Sequence, residues 1–433
     1  MNRKLKINMY LIAIICILSY FELGELKTLI YRNQIIVIFS LFLGWIFFFL
    51  KGNLKLTVYD LAWFSAIFLF VLVRNQYIIN GEMDINILYY FLLASLIMLS
   101  KNTIRWVKYF IGFIYWISLL HALATILFSI SSAAFQWYTS HFLASEYYLE
   151  AMTTYSKGTI SGLCVNYGMN AGIIAMGTGI AFIYFIWGEE TNKIKYLLGV
   201  VIRLVGLLFT GKRSPALLLI VSVALIYIFI EKKDINKKLI RFLLVGIGGV
   251  ISLFVGAMFL PQLQVLIGRL FDSEDWSTLG GRTELYDLAI EMFNKHPIIG
   301  IGWNAYKLES EKTIGRVYSR QYARMQAHNI YLQLLSEIGI VGAAVIIFLF
   351  LYPIIRTFRE TRKYGLDGFT GNNTSRIKEL LAALFLVIFF LLYGMTGNPL
   401  YDAYIYFIAM ISCGALQAYW INFKNIEKNG VRK

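Results

Sequence analysis

Two arginines and a histidine stand out in this chain because each lies beside a predicted helix end. Arg213 belongs to the segment TGKRSP, Arg282 opens an amphipathic segment, and His328 precedes a long apolar run. Guanidinium groups bind anionic oxygens bidentately, and imidazole can accept a proton near neutral pH. These residue types at similar helix ends indicate group-transfer chemistry, in which cations stabilise an anionic leaving group and the histidine acts as a base.

Each of these residues also has a structural interpretation. Arg213 could face lipid phosphates in the membrane interface. Arg282 could pair with Glu284 or Asp287, and His328 could cap its helix. Arg203 is placed near the middle of a predicted span. A charge inside the membrane is energetically unfavourable, so it first suggests a functional role. Snorkelling of Arg203, or its pairing with Glu337, is the structural alternative.

Composition decides the class of protein to which these residues belong. The chain has 433 residues, of which 58% are hydrophobic, whereas soluble domains are about 45–50% apolar. Helices satisfy their own backbone hydrogen bonds in lipid, so we predict an all-α integral membrane protein. We expect about twelve spans of roughly 20 residues each. Their centres are predicted near residues 14, 42, 66, 92, 118, 178, 202, 222, 250, 341, 385 and 411.

The net charge of +15 does not require nucleic acid as a partner. Most of the excess lysine and arginine falls in segments that lie on one side of the predicted topology, as the positive-inside rule requires. Both termini are then cytoplasmic, and one long extracytoplasmic loop joins spans 9 and 10. The predicted divisions are residues 1–259 with spans 1–9, residues 260–330 with the loop, and residues 331–433 with spans 10–12.

Within the loop, residues 285, 288, 289, 292 and 293 are apolar and fall on one face of a helix. This helix is expected to end before Pro297 and to lie on the bundle or in the outer interface. The three cysteines of the chain are dispersed, and no pair of histidines has helical spacing, so we expect neither a disulfide framework nor a metal site. No cofactor is indicated.

The loop and the span after it carry a family resemblance. An arginine that opens a helix, then HPIIGIGWN, then HNIYLQLLSEIGIVG at the start of a span, resembles the O-antigen polymerase and O-antigen ligase superfamily. The Lys-Arg-Ser of TGKRSP resembles an outer Ser-Arg element of that superfamily. The specific part of the resemblance extends from about Thr210 to Val345.

The resemblance implies a multi-pass, metal-independent glycosyltransferase of the bacterial plasma membrane, with its active site on the outer face. Its partners would be undecaprenyl-diphosphate-linked oligosaccharide and membrane lipid, and a chain-length regulator is left open. By matching position, Arg213 and Arg282 would bind the diphosphate, and His328 would act near the acceptor hydroxyl. Weaker candidates for substrate binding are Lys212, Arg203, Asn329, Tyr331, Glu337 and Asn166.

Three functions remain open on the sequence. A polymerase would join lipid-linked repeat units into capsule, O-antigen or exopolysaccharide, and a ligase would pass the finished glycan to another acceptor. A lipid-linked glycan transporter is the third, but a transporter is expected to show internal repeats and polar residues at the midplane. The chain instead concentrates its polar residues at the outer edge, which favours an enzyme.

Overall fold

The computed structural model describes residues 56–81, 90–91, 94, 97, 101, 104–143, 145–164, 166–230, 235–259, 264, 267, 282–310, 326–370 and 374–430. Among these residues every regular element is helical, and the one extended pairing is an isolated bridge between Asn75 and Trp303. The predicted all-α class is confirmed. The helices are α1 (Val58–Ala66, continued by a π-helical turn at Ile67–Leu72), α2 (Gln76–Ile79), α3 (Val107–Ile130), α4 (Ser132–Phe142), α5 (Ser145–Ser156), α6 (Tyr167–Trp187), α7 (Lys193–Phe209), α8 (Arg213–Phe229), α9 (Ile235–Ala257), α10 (Thr283–Lys295), α11 (Ile330–Thr370), α12 (Thr374–Tyr393) and α13 (Ala403–Gly430).

Five of the described helices are long and apolar enough to cross a membrane: α3, α6, α9, and the Ile330–Leu366 and Tyr404–Phe423 parts of α11 and α13. The helices α7 and α8 have 17 residues each, which is the lower limit of the roughly 17–25 residues that a span needs. The predicted spans near residues 14 and 42, and most of the one near 92, lie outside the described residues. The total of twelve and the three-part division therefore stay predictions.

Helix α12 packs against α6, α8, α11 and α13. Its residues from Leu380 to Phe390 are buried. Close approach to α6 depends on Gly179, because a Cβ at that position would lie 2.0 Å from Cζ of Phe385. Lipid supplies no hydrophobic force between membrane helices, so their association depends on close packing. Small residues such as glycine permit this close approach.

The amphipathic helix predicted in the loop is present as α10, and it ends at Lys295 as expected. Its buried residues include Leu285, Leu288 and Met292, and the helix packs against α11. The apolar face is therefore covered by the bundle. This packing brings the beginning of α10 to the same region as the beginning of α11.

Candidate active site

Lys212 lies against the beginning of α6. The side chain of Asn166 caps this helix by accepting hydrogen bonds from two backbone N–H groups of the first turn, at 2.7 and 3.3 Å. Nζ of Lys212 stands 4.9 Å from the ring centroid of Tyr167. Burial, and then the positive charge of Arg282, lower the pKa of Lys212 to about 8. The positive end of the α6 dipole adds to these cationic surroundings.

Arg282 is the N-cap residue of α10. Its Nη1 donates a hydrogen bond of 3.1 Å to the backbone carbonyl of Thr396, which precedes α13. Ion pairing of Arg282 with Glu284 or Asp287 is not among the ion pairs that the described residues form. The guanidinium is thus held by a main-chain oxygen, and the charge is not neutralised by the acids of its own helix.

His328 lies outside the helix that follows it. Its backbone φ is 54°, in the left-handed region, and α11 begins at Ile330. The cap is Asn329, whose side-chain oxygen accepts from two backbone N–H groups of the first turn at 3.0 and 3.2 Å. When the side-chain amide of Asn398 is oriented with its oxygen toward the nearby donors, this oxygen accepts a hydrogen bond of 3.0 Å from the backbone N–H of His328. His328 therefore does not cap α11, and its imidazole has no capping role.

The charges of these residues act on one another. Burial, followed by the positive charges of Arg282 and Lys212, lowers the pKa of His328 to about 4. The imidazole is therefore neutral at physiological pH and has a lone pair available. We refer to Lys212, Arg282 and His328 as the cation–histidine cluster, because three separate elements of the chain bring them together.

Arg213 is half-buried at the first residue of α8, directly after Lys212. The sequence favoured Arg213 over its neighbour as the phosphate-binding cation. In the structure, the charge of Lys212 acts on His328. The weaker sequence candidate therefore joins the cluster, while the role of Arg213 stays a prediction.

Tyr331 and Glu337 have structural partners. The Tyr331 hydroxyl donates to the carbonyl of Leu391 at 2.5 Å, which ties α11 to α12. The fully buried carboxylate of Glu337 accepts from Nε2 of Gln333 at 3.2 Å and from the hydroxyl of Tyr401 at 2.5 Å. Glu337 thus anchors the region behind the cluster, and a contact of Glu337 with substrate stays an untested prediction.

The two sequence elements that carry the resemblance interlock through their backbones. Amide groups of residues 301–302 donate to the carbonyls of residues 336–337, at 2.9 and 2.7 Å. The helical conformation of α11 is interrupted at Gly339, where φ is 66° and ψ is −174°. A Cβ on Gly339 would lie 2.3 Å from the backbone carbon of Ile298, so only glycine fits there without a shift.

We expect Gly339→Ala to lower the thermal stability of the purified protein more than two matched substitutions. The left-handed conformation costs a residue other than glycine about 1–3 kcal/mol, and the Ile298 backbone would also have to move. Gly365 has a similar φ of 73° but no atom near its Cβ position, and Gly246 has neither constraint. The expected order of destabilisation is Gly339→Ala, then Gly365→Ala, then Gly246→Ala. Equal melting temperatures for all three would contradict the proposed interlock.

Arg203 lies within α7 and is fully buried against α3. Its Nε donates to the hydroxyl of Ser118 at 3.0 Å, and its Nη1 donates to the carbonyl of Gly199 at 2.7 Å. The carbonyl of Tyr115 is a third acceptor, and the guanidinium carbon stands 4.1 Å from the ring centroid of that tyrosine. The charge neither snorkels nor pairs with Glu337, and these contacts account for its burial.

The connection between α12 and α13, residues 394–402, contacts the candidate site, which was not expected from the sequence. The backbone carbonyl of Thr396 accepts the hydrogen bond from the guanidinium of Arg282. The backbone carbonyl of Gly394 accepts a hydrogen bond of 2.8 Å from the backbone N–H of Ile330. The side chains at 398 and 401 bind His328 and Glu337. The connection contains turn residues and one acid but no cation, so nothing in its composition indicated a functional site.

The cluster can bind an anion and accept a proton. Lys212 and Arg282 are the groups that would meet a negatively charged ligand, and the neutral imidazole of His328 is the proton acceptor beside them. Among the residues that the structure describes, no group of three or more His, Cys, Asp or Glu side chains could hold a metal ion.

Comparison with known proteins agrees with the sequence resemblance. A family model described as O-antigen ligase matches residues 198–347, a stretch that runs from α7 into α11 and contains the whole cation–histidine cluster. No curated protein matches the chain significantly. The apolar helices and this match indicate a multi-pass membrane protein with glycosyltransferase-like activity. Residues 198–347 are therefore similar to the O-antigen ligase family, in agreement with the O-antigen ligase and polymerase superfamily that the sequence resembles.

Proposed function

We propose that this protein is a polysaccharide polymerase, which joins undecaprenyl-diphosphate-linked repeat units on the outer face of the plasma membrane. The observation that supports it best is the cation–histidine cluster, where two cations and a neutral imidazole meet at helix ends. Lipid-linked glycan transfer requires such groups, because the leaving diphosphate is anionic and the attacking hydroxyl must lose a proton.

In the proposed reaction, Arg282 and Lys212 hold the diphosphate of the growing chain. The hydroxyl of an incoming repeat unit attacks the anomeric carbon and passes its proton to His328. The bond between that carbon and the diphosphate oxygen breaks, and its electron pair leaves on undecaprenyl diphosphate. A single displacement of this kind inverts the anomeric centre.

The low pKa of His328 has a role in this scheme. A histidine with a pKa of about 4 is a weak base, although it is fully neutral at pH 7. A bound diphosphate would offset the charges of Arg282 and Lys212, which are two causes of the lowered pKa. The base strength of His328 would therefore rise when the donor is in place, and the proton would be taken in the loaded site.

A glycan gel of the source strain tests this function. The gene is deleted and then restored as wild type, Arg282→Ala, His328→Ala or Lys295→Ala. Lys295 is a control on the same helix as the cap residue Arg282, since it is exposed and pairs with Glu291. We expect wild type and Lys295→Ala to restore the high-molecular-weight ladder, and the other two variants to leave a single transferred repeat unit.

Ligase activity is the second candidate, because the matching family model is described as O-antigen ligase. The same cluster would then transfer a finished glycan to a different acceptor. Loss of all attached glycan, with polymeric lipid-linked material accumulating, would identify a ligase. Full restoration of the ladder by both Arg282→Ala and His328→Ala would contradict the catalytic assignment and favour transport.

A further inference from the structure

A long groove runs along the bundle between α8, α11 and α12. Its volume is about 1070 Å³, slightly above the roughly 300–1,000 Å³ that is usual for ligand pockets. One end lies at Tyr331, whose hydroxyl bonds to Leu391 of α12. The other end lies at Phe229, whose carbonyl accepts a bond of 3.0 Å from Nε of Arg362. The groove thus extends from the site region toward the opposite end of α11.

The wall of the groove changes character along its length. Eleven of the fourteen lining residues are apolar or aromatic, and the other three are the cations Arg359, Arg362 and Lys363. All three cations lie at the end remote from the cation–histidine cluster. Among the described residues that line the groove, none is acidic. A ligand that fits this wall has an apolar body and one anionic end.

The helical register of α11 produces this change. Residues 347, 351, 355, 359 and 363 are spaced by four and line the groove as Ile, Leu, Ile, Arg and Lys. Arg362 lies on the adjacent row, which is also formed by Ile354 and Phe358. Arg356 belongs to neither row, and its guanidinium instead stands 4.2 Å from the ring centroid of Trp420. The cations of the groove are therefore on one face, and this face continues the apolar stripe.

We propose that this groove binds an anionic phospholipid, with its phosphate on Arg359, Arg362 and Lys363 and its acyl chains along the apolar wall. Arginine binds phosphate bidentately, and the bond to Phe229 fixes the Arg362 guanidinium at the groove end. Basic pockets between membrane helices select anionic headgroups in this way. The lipid would contact α8, α11 and α12 from the surface of the bundle, and it would take no part in the transfer reaction.

Lipid binding to the purified full chain in mild detergent tests the proposal. Phosphatidylglycerol and phosphatidylcholine with the same acyl chains are added separately, and bound lipid is counted by native mass spectrometry alongside the melting temperature. We expect retention of phosphatidylglycerol and a higher melting temperature with it than with phosphatidylcholine. The variant R359Q/R362Q/K363Q should bind phosphatidylglycerol at least about tenfold more weakly.

A matched variant separates the groove from general surface charge. K237Q/K238Q/R241Q removes three cations from the beginning of α9, which follows α8 in the chain and does not line the groove. It should keep the affinity of the wild type for phosphatidylglycerol. Equal loss in both triple variants would mean that charge alone attracts the lipid, and no loss in R359Q/R362Q/K363Q would equally overturn the proposal.

Three further measurements test the apolar part of the site. Ile355→Trp fills the groove at an exposed position and should reduce phosphatidylglycerol binding while all three cations remain. Glycerophosphoglycerol, the headgroup without acyl chains, should not bind, and this result needs no variant. If undecaprenyl phosphate binding is lost in Ile355→Trp while phosphatidylglycerol binding is unchanged, the groove belongs to the carrier lipid and the proposal is wrong.

Discussion

Replacing Arg282 by alanine is expected to slow glycan transfer by about a hundredfold or more, the usual effect of removing one group that stabilises developing negative charge. The guanidinium is fixed to the carbonyl of Thr396 and stands at the positive end of α10. Its charge also acts on Lys212 and His328. The measurement is release of undecaprenyl diphosphate from a lipid-linked donor by the purified protein.

Companion variants show whether Arg282 and Lys212 act as one unit. Arg282→Lys keeps the charge but loses the planar fork, so it should recover only part of the rate. The double variant Arg282→Ala with Lys212→Ala should lose less than the product of the two single effects, because residues that bind one group are not additive. A rate for Arg282→Ala within threefold of that for the control Lys295→Ala would remove Arg282 from the mechanism.

The second large effect concerns the pH dependence of transfer. His328 must be neutral to accept a proton, and its pKa of about 4 in the free protein places the acid limb of kcat/KM near that pH. Activity through this group is therefore retained at and above neutral pH and lost as pH falls through the pKa. Bound diphosphate offsets the nearby cations, so the acid limb of kcat should lie at higher pH than that of kcat/KM.

Lys212→Gln tests the cause of this shift. It removes one of the positive charges that lower the pKa of His328, so the acid limb of kcat/KM should move to higher pH. Burial and Arg282 remain, and the limb should stay below the ordinary histidine pKa of about 6.5. Lys295→Gln, which removes an exposed charge, should leave the profile in place. An identical acid limb in wild type and His328→Ala would show that another group titrates.

Composition was enough to predict the helical class, and the periodicity of apolar residues was enough to predict the extent of α10, because both depend on which residues avoid water. The opening of α11 at Gly339 could not be predicted in the same way. In the sequence, residues 338–350 form one uninterrupted apolar run. The helix opens because residues 297–302 supply backbone hydrogen bonds to it from a distant part of the chain.

The candidate site was predictable where its chemistry lies in charged side chains near helix ends. Arg282 and His328 are of that kind, and the structure places their charges within reach of each other. The interaction of Lys212 with His328 was not predictable, because it depends on how separate elements of the chain pack together. For Arg203, the sequence indicated an unusual buried charge, but the carbonyl groups that satisfy it come from α3 as well as from its own helix.

The connection formed by residues 394–402 has a consequence for how this protein can diverge. It binds Arg282 and the first residue of α11 through carbonyl oxygens, which every amino acid possesses. The side chain at position 396 can therefore drift without releasing Arg282. The number of residues in the connection cannot change in the same way, because one residue more or fewer would displace the contacts to Arg282, His328 and Glu337 together. Selection should therefore act on the length of the whole connection, and on residue identity where a side chain makes the contact, at Asn398 and Tyr401.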